Sequence, residues 1–140
     1  MEKLLIFRVD MNHVIQILQK EIPDLAAVYL FGSRSEGFAR PDSDTDIAYL
    51  SNGPAMPAVD RFFLAQKLAN ILNTDVDLVD LRVASTVLRF EIVGKGKRIF
   101  CLDETICDLF EMTVFSMYQR FQEERKEIVE EILRKGSVYG

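Results

Sequence analysis

Apolar residues fall along this chain in two rhythms, one of three and four residues and one of two. Residues 11–22 carry Val14, Ile15, Ile17, Leu18 and Ile22 close to the spacing of one helix face, and Pro23 stops that helix. The preceding LLIFRV (residues 4–9) fits a short strand or an extension of the helix equally well. Residues 26–31, AAVYLF, form a short apolar run between Pro23 and Gly32, which predicts a buried strand. GSRSEGFARPDSD reads as a loop with room for one helical turn. Residues 44–50 (DTDIAYL) predict a second strand, and SNGP (51–54) a turn. Residues 57–72 predict a helix with Pro57 in its first turn and an apolar stripe through Val59, Phe62, Phe63, Leu68 and Leu72. DVDLVD (75–80) alternates acidic and apolar residues as a third strand, 84–93 predict a helix ending at Gly94, and KRIFC (97–101) a fourth strand.

Residues 103–135 carry one long helical pattern. Ile106, Leu109, Phe110, Val114, Met117 and Phe121 recur at three and four, QEERKE (122–127) makes a solvated face, and Ile128, Val129, Ile132 and Leu133 follow, with Gly136 as a stop. Such a helix spans about 45 Å, against about 30 Å for a domain this small, so one end is expected to project. Phe115 and Tyr118 fall off the main stripe and are set aside for a second contact, which favours a partner-binding role for the helix over simple coverage of the sheet. The order of elements predicts an α/β fold: a mixed sheet of about four strands with helices packed on it and a long C-terminal helix. The expected organisation is a single domain over 1–140, with a core at about 11–102 and the helix at about 103–135.

Composition narrows this little. At 140 residues, 49% hydrophobic and 28% charged, the chain fits a globular domain. No apolar run approaches the roughly 20 residues of a membrane span, and no signal-peptide pattern opens the sequence, so the cytoplasm is the expected compartment. A net charge of −5 weighs against direct nucleic-acid binding. Arg34 and Arg40 still supply local positive charge, and a triphosphate needs only a few such groups. Cys101 and Cys107 are too few for a disulfide framework and read as reduced, partly buried thiols. His13, the single histidine, reads as a surface or helix-edge imidazole rather than a catalytic base.

The chemistry concentrates in Gly32–Ser33, ten intervening residues, and Asp44–Thr45–Asp46. Gly32 after a buried strand lets the backbone turn sharply. Ser33 brings a hydroxyl and a backbone N–H, and a helical turn starting there would aim its free N–H groups at a phosphate. Arg34 adds a fixed positive charge, for phosphate or for a carboxylate, and Gly37 keeps the loop open. Asp44 and Asp46, two apart on a strand, share a face at roughly 6–7 Å. Two such carboxylates repel and are costly to desolvate, and a divalent cation removes that cost. Mg²⁺ prefers oxygen ligands and commonly sits between carboxylates and substrate phosphates. Asp77 shares its face with Asp75, opposite Val76, Leu78 and Asp80, and a strand beside 44–50 would set it next to Asp46. Asp75 reads as a solvated strand end, Asp80 as a cap or turn residue, and Asp42 as part of a surface turn. Each fragment alone is weak, but this order with a downstream acidic strand is specific.

GSRSEGFARPDSDTD resembles the signature of the polymerase-β-like nucleotidyltransferase superfamily, and the short length with DVDLVDL looks like its minimal branch. The tail, with SMYQRFQEER, is similar to the MntA antitoxin family, whose members pair with HEPN-domain toxins of the HepT type. The resemblance runs from about Ile15 to Leu133. It implies that Gly32 and Ser33, with Arg34 beside them, hold the triphosphate, while Asp44, Asp46 and Asp77 hold Mg²⁺, two ions being expected. Asp77 would also take the proton of the incoming hydroxyl. Thr45 stands where Ile, Leu or Val is common, with its side chain expected to face away from the metals. The implied reaction transfers AMP from ATP to a tyrosine of a HEPN toxin and silences it. Two other readings fit the sequence: an antitoxin acting only by contact through its C-terminal helix, and a nucleotidyltransferase for a small molecule or for RNA ends. Relatives of that last kind usually carry an extra acceptor-holding domain, and only one helix follows the core here, which favours an acceptor that brings its own surface.

Overall fold

A computed structural model describes residues 2–32 and 44–136. The first helix, α1, spans Glu2–Glu21, so LLIFRV continues it and is not a strand. Its inward line is Met11, Val14, Leu18 and, just past the helix end, Ile22, all buried, while Ile15 and Ile17 are half-buried. β1 (Leu25–Phe31) and β2 (Thr45–Ser51) follow, then α2 (Ala58–Leu72), β3 (Val76–Asp80), α3 (Thr86–Lys95), β4 (Lys97–Cys101) and α4 (Glu104–Arg134). The four strands form one mixed sheet in the order β3-β2-β1-β4. β1 runs antiparallel to both β2 and β4, and β2 runs parallel to β3, with α2 as the crossover that a parallel pair requires.

Period-two alternation divides the sheet between two cores. Val28, Leu30, Ile47, Tyr49 and Leu78 pack under α1 and α2 against Val14, Leu18, Leu64 and Leu68. Ala27, Tyr29, Ala48 and Leu50 face α3 and α4, with Leu81, Ile92 and Cys107. Asp46 and Asp77 share this second face with Ala48 and Val79, at its rim.

Three expectations about helix faces change. The buried line of α2 is Leu64, Ala65, Leu68 and Leu72. Val59, Phe62 and Phe63 are about 60% exposed, the two rings making an edge-to-face pair at 5.8 Å. The four-residue repeat of Leu64, Leu68 and Leu72 sets the inward face, and Phe62 and Phe63 fall outside it. Pro57 is the N-cap of α2 rather than a first-turn residue. α3 runs through Gly94 to Lys95, capped at its start by the Ser85 hydroxyl, which accepts from the Leu88 N–H, and closed at Gly96.

On α4, Asp103 caps the N-terminus by accepting from the N–H groups of Thr105 and Ile106. Its fully buried residues are Cys107 and Val114, whereas Ile106, Leu109, Met117 and Phe121 of the expected stripe are exposed. Phe115 and Tyr118, expected off the stripe, close against Phe90 of α3: Tyr118 stacks on it at 3.7 Å and 7°, and Phe115 meets it edge-on at 5.6 Å. Polar contacts complete the seat. The Tyr29 hydroxyl donates to Glu111 at 3.0 Å, and Arg98 bridges Asp108 and Glu111 at 3.1 and 3.3 Å. Beyond Tyr118 every described residue of α4 is exposed, so the last four turns or so stand clear of the sheet, with Ile128, Val129, Ile132 and Leu133 bare. No described helix is long and apolar enough to cross a membrane.

Candidate active site

The site lies where β1 ends and β2 and β3 begin. Phe31, the last residue of β1, pairs with Asp46, and Asp46 pairs on its other side with Asp77. Gly32 turns the chain away with φ +73°, a left-handed conformation that favours glycine. A Cβ at Gly32 would meet the tip of the Asp46 carboxylate and displace it, so the glycine that the backbone requires also leaves that acid its place. Asp44 is exposed just before β2, Asp46 is half-buried within it, and Asp77 is exposed on the neighbouring strand.

Electrostatics tie the three acids together. The Asp46 carboxyl is raised above its ordinary range, first by burial, then by the charge of Asp77, then by that of Asp44. Burial and like charge act in the same direction here, and both favour the protonated carboxyl. Among the described residues, no three carboxylate, imidazole or thiol groups stand close enough to cage a metal ion. Mg²⁺ does not require such a cage: it keeps several waters and takes one or two carboxylates plus substrate phosphates. Hard oxygen donors whose mutual repulsion a cation would relieve fit that requirement.

Thr45 points to the opposite side of the strand from its two neighbours. It is wholly buried, its hydroxyl shares a hydrogen bond of 2.8 Å with that of Thr74, and its N–H donates to the Asp75 carbonyl at 2.8 Å. The pair staples the start of β2 to the turn before β3, and so fixes Asp46 against Asp77. Nothing in the sequence announces Thr74, because the contact spans 29 positions. Asp75 is exposed, and Asp80, 2% exposed, accepts from the Arg82 N–H two residues on at 2.9 Å, as a turn residue does. His13 is exposed. Ser33, Arg34, Gly37, Arg40 and Asp42, together with the helical turn expected after Gly32, lie outside the described residues. A groove of about 320 Å³ beside Asp77, lined among others by Arg61, Phe62 and Gln66 of α2, has no counterpart in the sequence pattern.

A glycine turn over an acid pair at the start of one strand, with a further acid on the adjacent parallel strand, is the framework of a nucleotidyltransferase. The chain belongs to the polymerase beta nucleotidyltransferase family, whose model matches residues 12–105. It is 43% identical over 122 residues to the protein adenylyltransferase MntA of Shewanella oneidensis, covering 87% of this chain and 86% of that protein. The crystal structure of a toxin–antitoxin with AMP-PNP superposes with a TM-score of 0.78 at 43% identity, over 87% of this chain and 97% of the matched one. A complex of a tri-AMPylated Shewanella oneidensis HEPN toxin with its MNT antitoxin superposes with a TM-score of 0.75 at 40% identity, over 90% and 98%.

Proposed function

We propose that this chain is an antitoxin that transfers AMP from ATP to a tyrosine hydroxyl of a cognate HEPN toxin, releases pyrophosphate and thereby silences the toxin. The observation that carries this reading is the pairing of Asp46 with Asp77 beneath Gly32, with the Asp46 carboxyl raised by burial and then by its acidic neighbours. The likeness to a protein adenylyltransferase and to an antitoxin bound to an AMPylated HEPN toxin supplies the acceptor. ATP places the reaction in the cytoplasm.

In this reading Gly32 and Ser33 cradle the triphosphate, with Arg34 at its side. Asp44, Asp46 and Asp77 hold Mg²⁺, two ions in our assignment. When bound, the metal supplies charge neutralisation at the attacking and leaving oxygens. Asp77, the most exposed of the paired acids, receives the proton of the incoming hydroxyl. The hydroxyl oxygen forms a bond to the α-phosphorus, the bond from that phosphorus to the bridging oxygen breaks, and pyrophosphate departs with the electron pair. The protein's contribution is position and electrostatics.

The bare apolar end of α4 favours a second component, contact. A helix that leaves Ile128, Val129, Ile132 and Leu133 in water has surface to spend on a partner. A neutralisation assay separates the two. Wild-type chain with Mg²⁺ and ATP should silence the toxin's ribonuclease at substoichiometric amounts. Asp44→Asn with Asp46→Asn should silence it, if at all, only at stoichiometric amounts. Substoichiometric silencing by the double variant would discard the catalytic reading in favour of contact alone.

A further inference from the structure

β3 is an edge strand, and its outer side has no strand beside it among the described residues. Its main chain divides by alternation. The Asp75 carbonyl accepts from Thr45, and the Leu81 N–H donates to Tyr49, so residues 75, 77, 79 and 81 turn their main-chain groups toward β2. Val76, Leu78 and Asp80 therefore turn theirs outward. The Asp80 carbonyl is taken by the N–H groups of Val83 and Ala84. The outward groups of Val76 and Leu78 remain, one residue on each side of Asp77. Exposed edges of this kind are templates for another main chain.

The surroundings suit an extended peptide. Along the same edge, α2 and β3 enclose the groove lined by Arg61, Phe62, Gln66, Val76 and Leu78. The groove opens on the face of the sheet that carries α1 and α2; Asp77 also borders it, while strand alternation sets Asp77 with Asp46 on the other face. A strand laid on β3 sends alternate side chains to opposite faces. Residues on one parity would fill the groove, with Phe62 as an aromatic wall. A residue on the other parity, opposite Asp77, would stand about 5 Å from it between Cβ atoms, within reach of both acids.

We infer that the acceptor segment of the partner protein binds as an added strand on the open edge of β3, its flanking side chains in the Phe62 groove and its tyrosine on the face of Asp77. The inference rests on the adenylyl-transfer reading for the identity of the acceptor, but the docking is measurable without transfer. Hydrogen exchange is followed by mass spectrometry on the full chain, alone and with the cognate HEPN toxin, in the absence of ATP. The outward amides of Val76 and Leu78 should exchange at least tenfold more slowly with the toxin. Phe62→Ala, at an exposed position, should raise KM for the toxin about tenfold and leave KM for ATP unchanged. A complex that forms without protection at Val76 and Leu78 overturns the inference, even if AMP is transferred. Protection that grows with the concentration of the chain alone also overturns it, since a second copy would then be the occupant. Protection with toxin but no transfer on adding ATP upholds the docking and rejects the adenylyl-transfer reading instead.

Discussion

Asp46 carries the tension in this molecule. Its carboxyl sits half-buried between two other acids, and the folded state therefore holds its proton more tightly than the unfolded chain does. The sign of the linkage follows. Between the ordinary carboxylate pKa and the raised one, the folded state binds more protons, so stability of the metal-free protein falls as pH rises through that window. Above it, the ionised carboxylate is a standing cost. Asp46→Asn removes that cost and should raise the melting temperature of the metal-free protein at neutral pH, flattening its decline above the ordinary carboxylate pKa. A thermal scan across pH in chelator checks this, and a lowered melting temperature at pH 7 would count against the electrostatic account. Cys107 shows the opposite use of burial. Its thiol is pushed up to about 12, chiefly by burial and by the hydrogen bond to Cys101, and stays neutral as part of the core.

The elements were legible where the residue pattern is set by neighbours close in sequence. All four strands lie within a residue of their predicted limits, because short β-rich runs between turn residues leave little choice. Helix faces were less legible. Leu68 and Leu72 of α2 and Val114 of α4 are buried as their spacing predicts, but the aromatic residues of the same stripes are not, and Leu64, Ala65 and Cys107 take the inward places instead. Packing against a surface 30 or more positions away decides that choice. Gly94 is not the stop because the helix closes two residues later, where the Gly96 N–H donates to the Ile92 carbonyl. The free end of α4 yields a prediction at this scale. Ile128→Asp with Ile132→Asp changes two exposed residues, so the melting temperature should shift by no more than about 2 °C. Affinity for the HEPN toxin should fall at least tenfold, measured by calorimetry. Unchanged affinity would remove the helix end from the interface.

Over the whole molecule, the sheet brings together acids from two strands that the sequence separates by 31 positions, Asp46 and Asp77. The candidate acids were readable because a strand alternation and a glycine turn leave a dense local pattern. The supporting Thr45–Thr74 staple and the groove along β3 were not, because each is made by tertiary contact alone. A site that gathers negative charge should bind its counterion and substrate at a gain in stability. Saturation with Mg²⁺ and ATP at about 100 times Kd stabilises the folded state by about 2.7 kcal/mol, a rise of roughly 5–10 °C in melting temperature. Mg²⁺–ATP should leave the melting curve of the Asp44→Asn, Asp46→Asn variant nearly unmoved. A flat curve for the wild-type chain would remove the nucleotide site.

The most direct test of the account is the intact mass of the cognate HEPN toxin after incubation with this chain, Mg²⁺ and ATP. The account predicts a gain of one or more AMP units on a tyrosine, absent when Asp44 and Asp46 are both replaced by Asn. An unchanged toxin mass in the presence of a stable complex would contradict it and leave the chain as an antitoxin that works by contact.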